Sequence, residues 1–244
     1  MELAIKLKNV YKLFPLDSGK NKFNVALKNI NLELEKESFT VICGANGSGK
    51  SVLMNIIANL MEVSDGEVFT SSKVGLVFQD SGLQILGDTP REDVAVGPRN
   101  LKFDKNKIPQ IVEESLKKVS LLDKADFPCD FLSGGEKRRL AVASILAMNR
   151  DIIIFDEPYA NLDFPGVKEV NSLLQYLKSQ KKTIILLTHE LEKCLALANN
   201  FVVLYKGEKV FDGNPNQALK LSLENWGIKN PLSSYSSLEN LVWL

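Results

Sequence analysis

Histidine is nearly absent from this chain of 244 residues: His189 is the single one. A histidine-rich metal centre is therefore excluded, and a lone histidine is more often incidental than catalytic. Cysteine is scarce as well. Cys43, Cys129 and Cys194 show no CxxC spacing, so neither a zinc ribbon nor a disulfide framework is expected, and buried small apolar residues in a reducing cytosol is the better reading. Net charge is lacking too, with 30 basic against 30 acidic residues, which argues against a nucleic-acid partner. No apolar run approaches the ~18 residues of a spanning helix. Met1-Glu2-Leu3-Ala4 does not begin a charged-then-apolar leader. Service to a membrane would then be from the cytosolic side, through a partner.

What is present is enough apolar material for a core, at 45% hydrophobic against 25% charged. Residues 3–10 and 25–34 alternate, as half-buried antiparallel strands do, and the polar stretch from Pro15 to Asn24 reads as the loop joining them. Short apolar runs at 39–43, 74–78, 152–155 and 183–187 read as buried strands. Helical periodicity at 51–60 and 166–179 separates some of them, so βαβ units and a parallel sheet are expected. From about 83 to 148 the texture changes to helices and loops punctuated by Pro90, Pro98, Pro109 and Pro128, an inserted helical subdomain. Residues 201–205 and 208–211, split by Lys206-Gly207, read as a last hairpin. The segment after Pro215 reads as helical, then polar.

The chemistry sits at the ends of the buried strands. Gly44-Ala45-Asn46-Gly47-Ser48-Gly49-Lys50-Ser51 fits G-x-x-x-x-G-K-[ST], between a strand and a helix as a phosphate-binding loop requires. Its glycines allow backbone amides to approach phosphate oxygens closely. Lys50 would reach the β- and γ-phosphates and Ser51 would place its hydroxyl on Mg²⁺. Asp156-Glu157 ends an apolar strand: Asp156 suits the metal's water shell, and Glu157 suits a general base for the attacking water. Gln79, directly after another strand, can ligate Mg²⁺ or the water. His189 follows the next parallel strand, at the edge where phosphates bind, and from there can hydrogen-bond the γ-phosphate and the water. Leu132-Ser133-Gly134-Gly135-Glu136 opens a helix ahead of the acidic pair.

This ordered set resembles the ATP-binding-cassette ATPases over nearly the full chain. The resemblance makes 44–51 Walker A, Gln79 the Q-loop, 132–136 the signature motif, 152–157 Walker B with its catalytic glutamate, Asn161-Leu162-Asp163 the D-loop and His189 the switch histidine. It implies an α/β fold: a P-loop NTPase core with a parallel sheet, an antiparallel β hairpin subdomain and the helical insert. Residues 1–225 would be the ATPase domain and 226–244 a tail, where Leu238, Leu241 and Val242 could form a small dimer contact. The cofactors implied are ATP and Mg²⁺. The family also implies a head-to-tail dimer with a second ATPase subunit, the same or a paralogous chain. ATP then lies between Walker A of one subunit and Ser133 and Gly135 of the other. An aromatic of the early hairpin would stack on adenine; Phe14 is the choice and Tyr11 the alternative.

A narrower resemblance is to the energy-coupling-factor ATPases of cobalt and vitamin uptake. It rests on Gln84, on Asp93-Val94-Ala95-Val96-Gly97-Pro98, and on the run from Gly134 to Arg139 with Ala141-Val142-Ala143 after it. It implies a membrane coupling or permease subunit as partner and a peripheral place on the cytoplasmic face. Gln84 and 93–98 are then expected to line a groove for a helix of that subunit. Two departures stand out. Asp80-Ser81-Gly82-Leu83 replaces the usual Asn-Pro-Asp-Asn, and Glu136 replaces glutamine, placing a carboxylate near an anionic ligand with an expected modest weakening. The alternatives are the ATPase of another importer, a soluble cassette protein acting on DNA or ribosomes, and a small-molecule P-loop kinase, which would not need 132–136.

Overall fold

Two long, alternating strands open the chain in the computed structural model, which describes residues 2–16 and 23–233. They are β1 (Leu3–Pro15) and β2 (Phe23–Glu35), antiparallel to each other. Both run further than the alternation predicts. Register shifts between Leu7 and Val10 and between Val10 and Lys12 break the period, and Asn9 and Asn29 take φ of 50° and 52°. Bulges of this kind hide strand continuation from a period-two reading.

The remaining strands are β3 (Phe39–Cys43), β4 (Asp65–Thr70), β5 (Val74–Val77), β6 (Ile152–Asp156), β7 (Thr183–Leu187), β8 (Asn200–Tyr205) and β9 (Glu208–Gly213). The helices are α1 (Lys50–Ile57), α2 (Pro90–Asn100), α3 (Ile108–Lys118), α4 (Gly134–Ala147), α5 (Phe164–Ser179) and the short α6 (Pro215–Ala218). Among the described residues the strands form two sheets. One has the order β2-β1-β4 and is antiparallel; the other has the order β5-β6-β7-β3-β8-β9 and is parallel apart from β9. The expected last hairpin is present as β8–β9, and its first strand joins the main sheet beside β3. β4 has no counterpart in the sequence reading. It is a mostly exposed edge strand that begins at Asp65-Gly66, so it offers no apolar pattern to detect.

Every residue of β3 and β7 is buried, as expected for parallel strands covered on both faces. Along β6 the period-two alternation assigns Ile152 and Ile154 to one core and Ile153 and Phe155 to the other. The first core packs against α1 and the antiparallel sheet; the second packs against α2 to α5. The helical insert thus shares a continuous core with the sheet. At Gly75 a Cβ would come 2.5 Å from Ile145 of α4, so the closeness of that helix depends on glycine in β5.

Helix ends follow their caps. α1 stops at Ile57, short of the predicted 60, because Asn59 takes a left-handed φ of 58°. Asp163 caps α5 by accepting from the Gly166 N–H. Beyond Pro215 the chain forms α6 and a 3-10 turn at Leu223–Trp226. Leu238, Leu241 and Val242 lie outside the described residues. No helix among the described residues is long and apolar enough to cross a membrane.

Candidate nucleotide site

Because β3, β6 and β7 are parallel neighbours, the glycine loop, the acidic pair and His189 emerge at the same edge of the sheet. A cleft of about 390 Å³ opens there, lined by Phe14, Asn24, Val25, Ala26, residues 46–52, Gln79, Asp156 and Glu157. Sequence-predicted residues from four separate segments meet in it. A larger cavity of about 1100 Å³ between the end of α1, β4 and β5 contains none of the motif residues, so size does not locate the chemistry.

The loop has the shape its glycines permit. Gly47 and Gly49 take φ of +77° and +101°, where a Cβ is strained. A Cβ on Gly44 would lie 2.2 Å from the Leu204 carbonyl and 2.5 Å from Ser48 Oγ. Lys50 is buried, and its Nζ donates to the carbonyls of Gly44 at 2.6 Å and Ala45 at 3.2 Å, across the loop. Ser51 lies on the exposed face of α1, lining the same cleft as Gln79 and Asp156. Gly207, in the β8–β9 turn, donates to the Ser48 carbonyl at 3.1 Å and accepts from the Lys28 N–H at 2.8 Å. Nothing in the sequence announces this link; Gly207 reads there only as a turn residue.

Asp156 ends β6, half buried. Burial raises its carboxyl above the ordinary value, Glu157 raises it further, and Lys50 opposes both. Glu157 turns into the left-handed region at φ 44°, an uncommon place for a non-glycine residue. Its N–H donates to the Leu187 carbonyl at 2.8 Å, which fixes the turn. Its side chain is 14% exposed, with Oε1 3.0 Å from His189 Nδ1. Oε2 is buried and has no hydrogen-bond partner. His189 is well exposed and reaches the site through Glu157. The cysteines are all free and buried, and burial pushes the Cys43 thiol beneath the loop up to about 12.

Phe14 lines the cleft, with Lys12 Nζ 5.2 Å from its ring centroid; Tyr11 does not line it. Ser133 and Gly135 do not line it either. Their neighbour Gly134 borders a second cleft, of about 720 Å³, together with Lys137, Arg138 and Asn161; Gln79 and Asp156 line both. Ser133 caps α4 through a capping box with Glu136. From sequence the Glu136 carboxylate is expected to weaken an anionic ligand modestly, and no partner for it is evident there. In the structure it is ion-paired to Lys124.

Part of the expected partner groove is turned inward; within 93–98 only Val96 and Gly97 are half-buried. Gln84 is turned inward, donating to the Leu76 carbonyl at 2.6 Å and accepting from the Phe78 N–H at 3.1 Å. Val94 is fully buried. Asp93 is buried, accepting from the amides of Leu86 and Gly87 and from Ser144 Oγ. These residues brace the Q-loop against α4 and do not face outward, although Leu83 and Leu86, on either side of Gln84, are 81% and 76% exposed. A period read from sequence could not distinguish the inner side of this short turn from the outer.

A family model described as ABC transporter matches residues 27–160. The energy-coupling factor transporter ATP-binding protein EcfA of Carboxydothermus hydrogenoformans is 38% identical over 246 residues, covering 95% of this chain and 89% of the relative. EcfA1 of Clostridium novyi is 37% identical over 231 residues, covering 88% and 81%. Among solved structures, CbiO1 of Clostridium perfringens, described as part of the ABC transporter complex CbiONQ, superposes with a TM-score of 0.80 at 29% identity, covering 90% of this chain and 92% of that one. A dimeric cassette, MJ0796, in a post-hydrolysis state with ADP and phosphate, gives 0.75 at 29% identity, covering 86% and 98%. With the phosphate loop, acidic pair and histidine on one sheet edge, these likenesses show that the chain belongs to the ABC transporter ATP-binding family and is an ATPase of the energy-coupling-factor type.

Proposed function

We propose that this ATPase powers import of a vitamin or metal ion from the cytoplasmic face of the membrane, as one of two ATPase subunits carried by a membrane coupling subunit. Residues 1–225 act as the ATPase domain, with the helical insert at about 83–148 transmitting the nucleotide state. The observation that carries the reading is the Glu157–His189 pair beside the phosphate loop, with one glutamate oxygen left unpartnered. Glu157, lining the cleft, would take the proton of the attacking water as general base, with His189 orienting its carboxylate.

Lys50, with the amides of Asn46, Gly47, Ser48 and Gly49, binds the phosphates, and Gly44 lets the loop close over β3. Phe14 stacks on adenine. Ser51, Gln79 and Asp156 offer a hydroxyl, an amide oxygen and a carboxylate, the hard oxygen donors Mg²⁺ prefers. When bound, the ion neutralises charge on the β- and γ-phosphate oxygens. Ser133 and Gly135 reach the nucleotide of the facing subunit from the start of α4, where a hydroxyl and unpaired amides suit an anion. The EcfA and CbiO relatives support the transporter type, and the solute class rests on the resemblance to the energy-coupling-factor ATPases. Reconstitution with the membrane subunit tests the whole reading: ATP hydrolysis should become coupled to uptake, and Glu157→Gln should stop both.

A further inference from the structure

The signature segment holds a counter-ion that none of its motifs contains. Lys124 lies in the 3-10 turn Leu122–Lys124, ahead of the motif, and its Nζ donates to Glu136 Oε1 at 2.5 Å. Glu136 Oε2 accepts from the Ser133 N–H at 2.9 Å, and Ser133 Oγ accepts from the Glu136 N–H at 3.2 Å. The hydroxyl proton of Ser133 is thus left to donate elsewhere. The Glu136 side chain is 15% exposed and that of Lys124 38%, so the pair is partly withdrawn from water. The hydrogen bond from Lys124, then that from Ser133, hold the carboxyl below its usual range, so Glu136 is charged at neutral pH.

We infer that Lys124 is a positioning residue for ATP hydrolysis, neutralising Glu136 so that Ser133 and the amides of Gly134 and Gly135 meet the facing subunit's triphosphate without a free negative charge beside them. This rests on the reading that the signature segment faces a partner's nucleotide. Where glutamine stands at this position no counter-ion is required; a glutamate requires one. An unmatched carboxylate at the rim would repel the polyanion across a partly desolvated contact, where charges interact more strongly than in bulk water.

The test uses the full chain carrying Glu157→Gln, with the ATP concentration needed for half dimerisation read by sedimentation. Lys124→Met keeps the aliphatic stem near Phe127 and removes the charge. It should raise that concentration by roughly tenfold at low salt, with the deficit shrinking as ionic strength rises. Glu136→Gln in the same chain should restore it to within about twofold of the parent, as should Lys124→Arg in place of Lys124→Met. In chains that keep Glu157, kcat should follow the same order. A double variant as impaired as Lys124→Met would overturn the inference, because Lys124 would then act on phosphate or on the fold directly. So would a Lys124→Met chain that dimerises like its parent. Ser133→Arg separates the two layers: if it blocks dimerisation while Lys124→Met does nothing, only the counter-ion role is lost. If Ser133→Arg dimerises normally, the facing-site reading falls and takes the counter-ion role with it.

Discussion

His189 Nδ1 and Glu157 Oε1 stand 3.0 Å apart, and the other oxygen of Glu157 is buried without a partner. The histidine thus fixes the orientation of the carboxylate where Glu157 lines the cleft. Glu157→Gln keeps the shape but cannot take a proton, so turnover should fall by roughly 10²–10³-fold while ATP binding survives. Single-turnover hydrolysis alongside nucleotide-binding titration checks this. His189→Ala should lower kcat with a smaller effect on ATP affinity. Near-normal turnover by the glutamine variant would remove Glu157 from the chemistry.

Lys50 donates within its own loop, so its role in binding belongs to a single subunit. Lys50→Ala should weaken ATP binding by the isolated chain by roughly ten- to a hundredfold, the scale of a charge-assisted hydrogen bond. Ser133→Arg should leave that binding within about twofold and block the closed dimer. Equilibrium titration on monomer and on dimer distinguishes them; failure of both at the binding step would contradict a composite site.

Asp156 illustrates a conflict between stability and function. Its folded carboxyl is raised above the unfolded value, chiefly by burial and then by Glu157. The folded state therefore holds a proton here more tightly than the unfolded chain does. The cost of the buried charge is present above the raised value and is relieved as pH falls through it. Asp156→Asn should accordingly raise the thermal midpoint of the nucleotide-free protein at pH 7, with the gain vanishing in mild acid. The same variant should lose Mg²⁺-dependent hydrolysis. A lowered midpoint at neutral pH would show that the carboxylate is already compensated.

The partner surface is best probed at the exposed leucines. Leu83→Asp and Leu86→Asp should change stability by no more than about 0.5 kcal/mol, yet spoil co-purification with the membrane subunit. Val94→Lys buries an unpaired charge in the core and should destabilise by about 3 kcal/mol or more whether or not a partner is present. Urea melts and pull-down assays separate the effects. Intact assembly by both aspartate variants would place the docking surface elsewhere.

That the glycine loop, Gln79, the acidic pair and His189 lie together at one sheet edge was legible from sequence, because each follows an apolar run at a parallel-strand terminus, and that pattern is local. The buried strands read at 39–43, 152–155 and 183–187 were legible for the same reason, the second running one residue further to Asp156. What escaped depends on contacts between segments far apart in the chain. β4 is short and exposed, so no burial pattern marks it. Gln84 looks outward-facing until its two backbone partners, Leu76 and Phe78, are seen. The ion pair of Glu136 with Lys124 is hidden in sequence because the preceding turn, not a motif, brings the lysine against it.

Gly207 joins the two sheets at a single residue. Its N–H holds the phosphate loop at Ser48 and its carbonyl holds β2 at Lys28, while Ala26 packs so closely that a Cβ on either Gly207 or Gly49 would lie within 2.9 Å of its carbonyl oxygen. The strand pair bearing Phe14 and the loop bearing Lys50 are therefore clasped together by main-chain atoms. If Phe14 holds the base and Lys50 the phosphates, as proposed, both ends of the nucleotide would rest on segments joined by main-chain hydrogen bonds, and loosening one end would disturb the other. On that reading the Q-loop and the helices beyond it, which lie outside this main-chain clasp, are the segments expected to respond to the nucleotide state.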